Sequence, residues 1–231
     1  MRTSARIASR GHGRPDHPGR TDRLRPDELD ERNDNPQMAA AETMRVHSVN
    51  VGRAVFREIQ GRRVLTGYDK QPQPGPVHVS PLGLEGDEQA DPSAHGGLSK
   101  AVYAYPLAHF AFWQTVRAQA QVVPWGHTLA PGAFGENLTI EGLREERLWI
   151  GDRLRLPGCV LAVSEPRRPC YKFDAAMGFL QASSLMRQSG YCGSYLAVIE
   201  PGPITAGDAI ALEPGPREVN LRELFLARTR R

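Results

Sequence analysis

From residue 44 onward the chain reads as short apolar or alternating runs separated by glycine, proline and aspartate. Residues 46–51 (VHSVNV) alternate, which puts one face of a strand on a core, and Gly52 breaks the pattern. Similar runs predict strands at 54–59, 63–66, 77–79, 137–140, 147–150, 153–156, 160–163, 195–199 and 209–212. So many short strands with frequent turn residues predict a mainly β domain, built as a barrel or sandwich. LWIGDRLRL around Gly151 and ITAGDAIAL around Gly207 each set Gly-Asp between strand-like runs, as a tight turn or bulge does at a sheet corner. Helical spacing predicts a helix over 106–121, where a proline suits the first turn and Leu107, Phe110, Ala111 and Trp113 fall near one face. A second is predicted over 174–188, with Asp174 as N-cap and Ser189-Gly190 as C-cap, and a short last one over 219–231.

The first 43 residues depart from this pattern. They contain no aromatic and almost no branched apolar residue, so they cannot offset the entropy of ordering. The expectation is a disordered extension, or a start placed upstream of Met38 or Met44. The domain would then run over 44–216, with a short basic tail or helix at 217–231.

Charge follows the same division. Residues 1–43 hold eight arginines and eight acids, residues 44–216 sixteen basic and sixteen acidic residues, and residues 217–231 five arginines against two acids. The formal net charge of +3 therefore sits in the tail, and no nucleic-acid partner is expected. No run approaches the roughly 18 apolar residues of a membrane span, so no membrane partner is expected either. Cys159, Cys170 and Cys192 form neither a CxxC pair nor a zinc spacing. An odd count without a signal peptide points to a reducing cytoplasm.

Candidate chemistry centres on AVSEPRRPCYKF, residues 162–173. Pro166 and Pro169 hold Glu165 and Arg168 extended, so the segment leaves its strand as a stiff loop. Arg167, Arg168 and Lys172 flank Cys170 and favour its thiolate, the form that attacks electrophiles or binds metal. A lone soft thiolate suits a soft, high-valent metal already held by other sulfur atoms, not a zinc site with its three or four protein ligands. The alternative at this stage is a structural thiol, as Cys159 and Cys192 beside apolar strands read. His95-Gly96-Gly97 with Lys100 reads either as an anion-holding turn or as an ordinary glycine turn with a satisfied histidine. Asp87, Asp91 and His95 are four apart, but Pro92 and the lack of a helical pattern argue against a metal site. In PGAFGENLTIEGL, residues 131–143, Gly132 and Gly135 permit close backbone approach. Glu136 and Asn137 either hydrogen-bond a polar heterocycle or cap a turn.

GLEGDEQADPSAHGGLSKAVYAYP, PGAFGENLTIEGL, IGDRLRL, VSEPRRPCYKF and SGYCGSYLAVIEPGPITAGDAIAL resemble, in this order, the successive motifs of the MOSC-domain proteins. The nearer likeness is to the bacterial subgroup associated with resistance to hydroxylaminopurine-type base analogues, and it covers roughly residues 44–216. The resemblance implies a mainly β (α+β) fold, a MOSC-type β-barrel with a few short helices, holding a molybdenum cofactor (molybdopterin). It places Cys170 at the metal-ligating position. By position His95, Gly96, Gly97, Lys100, Phe134, Glu136, Asn137 and Gly193 would line the site, with Arg167, Arg168 and Lys172 facing the phosphorylated pyranopterin. The activity implied is reduction of N-hydroxylated bases and amines, independent of pyridoxal phosphate, with electrons from a separate flavin-containing reductase; a homodimer is compatible with it. Two other readings stand beside this one: a cofactor carrier or sulfur-transfer module without turnover, and a β-barrel binding module with an incidental cysteine loop. The chain departs from the subgroup at Ser99, where an acidic residue is usual, and in the short helical region after the barrel.

Overall fold

The computed structural model describes residues 44–229; the extension expected over 1–43 lies outside the described residues. The elements follow as β1 (Met44–Val51), β2 (Val55–Ile59), β3 (Arg62–Thr66), β4 (Gln71–Pro72), β5 (Val77–Ser80), β6 (Gly83–Leu84), α1 (Pro92–His95), β7 (Val102–Pro106), α2 (Phe110–Gln119), β8 (Leu138–Glu141), β9 (Arg153–Arg155), β10 (Val160–Pro166), α3 (Tyr171–Met177), α4 (Ala182–Ser189), β11 (Ser194–Glu200), β12 (Gly202–Ile204), β13 (Ala209–Glu213) and α5 (Leu221–Thr229). Seven strands, in the order β13-β9-β10-β11-β7-β8-β1, form a sheet that closes on itself through β1 and β13, where Met44 pairs with Ile210. Closure removes the sheet's exposed edges. Every neighbouring pair in the barrel is antiparallel except β7 and β8. A parallel pair needs a long crossover, and residues 107–137 with α2 supply it. The hairpin β2–β3 and the three-stranded sheet β12-β5-β6 lie outside this barrel order.

Two cores share β7. Val102 and Ala104 join Val46, Val49, Leu138, Leu161 and Leu196 in one. The intervening Tyr103 and Tyr105 join Trp113, Phe134, Phe173, Met177 and Phe225 in the other. Each large apolar side chain so buried contributes on the order of 1.5–3 kcal/mol relative to exposure. The helix α5 is anchored in both cores, through Leu221 in the first and Phe225 in the second. Both Gly-Asp turns stand where the alternation placed them, ahead of the paired strands β9 and β13. Asp152 accepts the backbone N–H groups of Trp149 and Gly215, and Asp208 that of Thr205.

Three expectations need correction. The helix predicted over 174–188 is two helices, because Gly178 adopts the left-handed conformation (φ 84°) and ends α3. Asp174 does not cap the first of them; from inside α3 its Oδ1 accepts the Ser183 backbone N–H, 2.6 Å away, at the start of α4. The strand predicted over 147–150 is a 3-10 turn (Glu145–Arg147) followed by a single bridge from Trp149 to Asn220. Leu148 there is buried in the core and Ile150 packs against it. Asp91 precedes and His95 ends a short helix after all, since proline is tolerated in a first turn. Among the described residues no three His, Cys, Asp or Glu side chains gather to hold a metal ion, and no helix is long and apolar enough to cross a membrane.

Candidate functional site

Pro166 pairs with Ser194 as the last residue of β10, and four residues later Cys170 stands in extended conformation as the cap of α3. The strand-to-helix junction thus delivers the thiol to an open cleft. The cleft is lined by His95, Lys100, Asn137, Arg167, Cys170 and Lys172 among the residues singled out from the sequence. Thr66, Gly67, Tyr68, Lys70, Asp87, Gln89, Tyr103 and Tyr195 join them.

Burial alone would raise the Cys170 pKa. A hydrogen bond with His95, the charge of Arg167, the backbone of Lys172 and the charge of His95 together outweigh it and bring the thiol down to about 7. The other two cysteines are core residues, as expected: burial holds Cys159 up at about 12 and Cys192 well above its usual range. The Tyr195 hydroxyl, 3.0 Å from Nδ1, also holds the His95 ring.

Arg167 is 4% exposed and lies among Tyr68, Tyr103 and Phe173, whose ring centroids are 5.2, 4.9 and 5.6 Å from its Cζ. Its Nη2 donates to the Tyr68 hydroxyl, but its buried Nη1 has no hydrogen-bond partner among the described residues. The hydroxyl of Thr66, on another wall of the cleft, is also buried and unpartnered. Buried donors left unmade cost about 1–3 kcal/mol each, more for a charged group, so the two mark where a ligand with acceptor atoms would be held.

Below them Lys70 and Asp87 form a buried ion pair. Asp87 also accepts the Gly52 backbone N–H at 3.0 Å and the Asn137 amide at 2.9 Å, so one carboxylate ties three separate segments to the cleft floor. Burial lowers the Lys70 pKa, and the charge of Asp87 works against that shift.

Of the other residues implied by position, all but Lys172 lie outside the cleft lining. Phe134 is fully buried and stacks on Tyr105 with centroids 4.2 Å apart. Glu136 is fully buried; it accepts the backbone N–H groups of Gly132 (2.7 Å) and Phe134 (3.0 Å) and the Thr139 hydroxyl (2.8 Å), so it staples its own loop instead of facing a ligand. Gly132 and Gly135 do permit close approach, but of protein to protein. A Cβ on Gly132 would meet the Lys70 carbonyl at 2.4 Å, and one on Gly135 the Tyr68 ring at 3.2 Å. The Gly193 N–H points to Glu145. Gly96 and Gly97 flank His95 without lining the cleft, and the Gly97 N–H, which an anion-holding turn would present, is taken by Gln89. Arg168 is exposed on an outer groove with Arg228. The Lys172 ammonium is turned to the Leu65 carbonyl, 2.9 Å away.

The residues missed come from other strands. Tyr103 and Tyr195 pair directly across β7 and β11, and Thr66 ends β3; nothing in their local sequence separates them from ordinary strand residues. In cofactor-free protein, alkylation of Cys170 by iodoacetamide is expected to rise with pH as thiolate forms, with its midpoint near the pKa of about 7. Cys159 and Cys192 should stay unlabelled over that range until the protein unfolds. Peptide mass spectrometry of the labelled protein checks both statements, and a Cys170 midpoint above 8.5 would contradict the geometry.

Residues 91–211 match the sequence pattern of the MOSC domain. The chain is 38% identical over 167 residues, 72% of each protein, to the uncharacterised protein YflK of Bacillus subtilis. It is 34% identical over 173 residues to a protein of Gibberella moniliformis named as a reductase, of which the match spans only 30%. Among solved structures it superposes on YiiM from Geobacillus stearothermophilus with a TM-score of 0.63 and 29% identity, over 81% of this chain and 84% of that one.

Proposed function

Because the chain belongs to the MOSC-domain family, we propose that it holds a molybdenum cofactor in the cleft beside Cys170 and reduces N-hydroxylated compounds, base analogues and hydroxylamines among them. MOSC domains are associated with binding this cofactor, and the reaction class gains support from the fungal relative named as a reductase. The observation that carries the reading is the Cys170 thiol, with a pKa of about 7, set beside the unpartnered buried guanidinium nitrogen of Arg167.

The residues present fit the group. A soft thiolate suits molybdenum held by other sulfur atoms, and the open donors of Arg167 and Thr66 suit the acceptors of a polar pterin. When bound, the cofactor supplies a metal able to take up the oxygen of an N–OH group and to be restored by two electrons. Cys170 would hold that metal. Arg167, fixed by three aromatic rings, orients its donors without reorganisation. The His95 ring, between Cys170 and the Tyr195 hydroxyl, is placed to hold a proton at the site. Lys100, 3.7 Å from Glu165, stands on the wall shared with the outer groove. The electron donor in this reading is a separate flavin-containing reductase.

The test is the metal. Protein from a host able to make the cofactor should carry about one molybdenum per chain and release a fluorescent pterin on oxidation; protein from a deficient host should carry neither. No molybdenum from the competent host would end the reading. Stoichiometric molybdenum without turnover of any N-hydroxylated compound would favour the carrier instead.

A further inference from the structure

A second, open cavity of about 460 Å3 adjoins the cleft, and Thr66, Tyr68, Lys70 and Lys172 border both. It runs between the β2–β3 hairpin, α3 and residues 129–133. Its charged residues divide by partner. Arg57 and Asp69 pair with each other, and Lys70 is committed to Asp87. Glu58 is exposed at the rim. Arg117 and Lys172 are half-buried and have no carboxylate partner among the described residues: Arg117 donates through Nε to the Met177 carbonyl at 3.1 Å, and Lys172 to the Leu65 carbonyl. The unpartnered Thr66 hydroxyl belongs to a residue that is 4% exposed and lines both chambers. Between these polar groups the wall is apolar, with Leu129, Pro131, Ala133 and Ala176.

The spacing matters as much as the charge. Cys170 caps the start of α3 and Arg117 grips the carbonyl of its last residue. A helix of seven residues separates them, about 10 Å at 1.5 Å per residue. A purine nucleoside 5′-monophosphate covers that span between its exocyclic nitrogen and its phosphate. A guanidinium and an ammonium without carboxylate partners suit the phosphate, and the apolar wall suits the flat base.

We infer that this second cavity is an anion-binding extension of the cleft, in which Arg117 receives the phosphate of an N-hydroxylated nucleotide and Lys172 adds positive charge on the path toward the metal end. The inference rests on the reductase reading for the N-hydroxyl group, and on the cavity alone for the phosphate.

The experiment separates the two. Full-length protein, both molybdenum-loaded and cofactor-free, is titrated calorimetrically with adenosine 5′-monophosphate and with adenosine. The monophosphate is expected to bind both forms at least about tenfold more tightly than the nucleoside, the scale of one or two charge-assisted hydrogen bonds. Arg117→Gln should erase that difference, while Arg117→Lys, which keeps the charge, should retain part of it. Equal affinity of wild type for the two compounds overturns the inference, and this comparison needs no variant. Tight monophosphate binding to the cofactor-free form alone also overturns it, because the subsite would then belong to the phosphate of the cofactor. On the loaded enzyme, kcat/KM for N6-hydroxyadenosine 5′-monophosphate should exceed that for N6-hydroxyadenine, and Arg117→Gln should lower the ratio. Reduction of both compounds without preference overturns the nucleotide inference and leaves the reductase standing. Reduction of neither by molybdenum-loaded protein overturns the reductase reading, and the titration still decides the anion site.

Discussion

Protein carrying Cys170→Ser is expected to lose its molybdenum and to fall at least about a hundredfold in N-hydroxylamine reduction, while its melting curve stays that of the wild type. A second-sphere change in a metal site costs roughly 10–100-fold, and loss of the only soft protein ligand should cost no less. The thiol, at a pKa of about 7, is largely ionised just above neutral pH; a serine hydroxyl in the same place is not, and its oxygen is a hard donor. The fold has little stake in the change. Cys170 is only half-buried, the substitution alters one atom, and the contacts that seat α3 run through Phe173 and Met177 in the aromatic core and through the Cys170 carbonyl, which accepts the Ser183 hydroxyl at 3.1 Å. Metal analysis, turnover and thermal denaturation on one preparation check the three parts. Full activity with full molybdenum in the variant would remove Cys170 from the site.

The second large effect is on stability. Asp87→Ala is expected to destabilise the protein by about 3–5 kcal/mol, the usual cost of breaking a buried ion pair from one side. The loss leaves the Lys70 ammonium, 7% exposed, without its counterion, and strips the Gly52 N–H and the Asn137 amide of their acceptor. The pH dependence has a definite sign. Burial already lowers the Lys70 pKa in the folded protein, and removing Asp87 lowers it further, so the unfolded state binds the proton more tightly than the folded one. Stability of the variant therefore rises with pH, and its deficit narrows as pH approaches the range of an unfolded lysine, about 10.4. Denaturant melts at pH 6 and pH 9 would show it. A double variant Lys70→Met, Asp87→Ala should recover much of the loss at pH 6; no recovery would mean that the carboxylate acts through its backbone and amide partners alone.

The barrel was largely legible because strands such as β9 and β13 keep one face wet. The clearest failure, β7, is explained by the same rule: VYAYP is buried on both faces, between the aliphatic and the aromatic core, so it shows no alternation and reads as the end of a glycine-rich loop. Gly178 was misread for a different reason. A single glycine inside an apolar periodic stretch is tolerated in helices, and only its φ of 84° makes it a stop. In the site, Cys170 and Arg167 could be found because prolines and cations mark their loop locally. Arg168 and Lys172 looked equivalent to Arg167 in sequence, and only the direction of each side chain separates one at the thiol from one in solvent and one on the Leu65 carbonyl. Thr66, Tyr68, Tyr103 and Tyr195 carry no local mark, because barrel closure alone makes them neighbours.

The pairing of Met44 with Ile210 also sets the order of events during synthesis. The first strand of the domain waits for almost the last, and until β13 leaves the ribosome β1 keeps an open edge that other chains can pair with. Thr66, Arg167 and Cys170 are all made before that moment, yet they come together as one cleft only in the closed barrel. Insertion of the proposed cofactor would thereby follow synthesis, and a chain cut short of β13 would present the cysteine loop without the walls that make it a site.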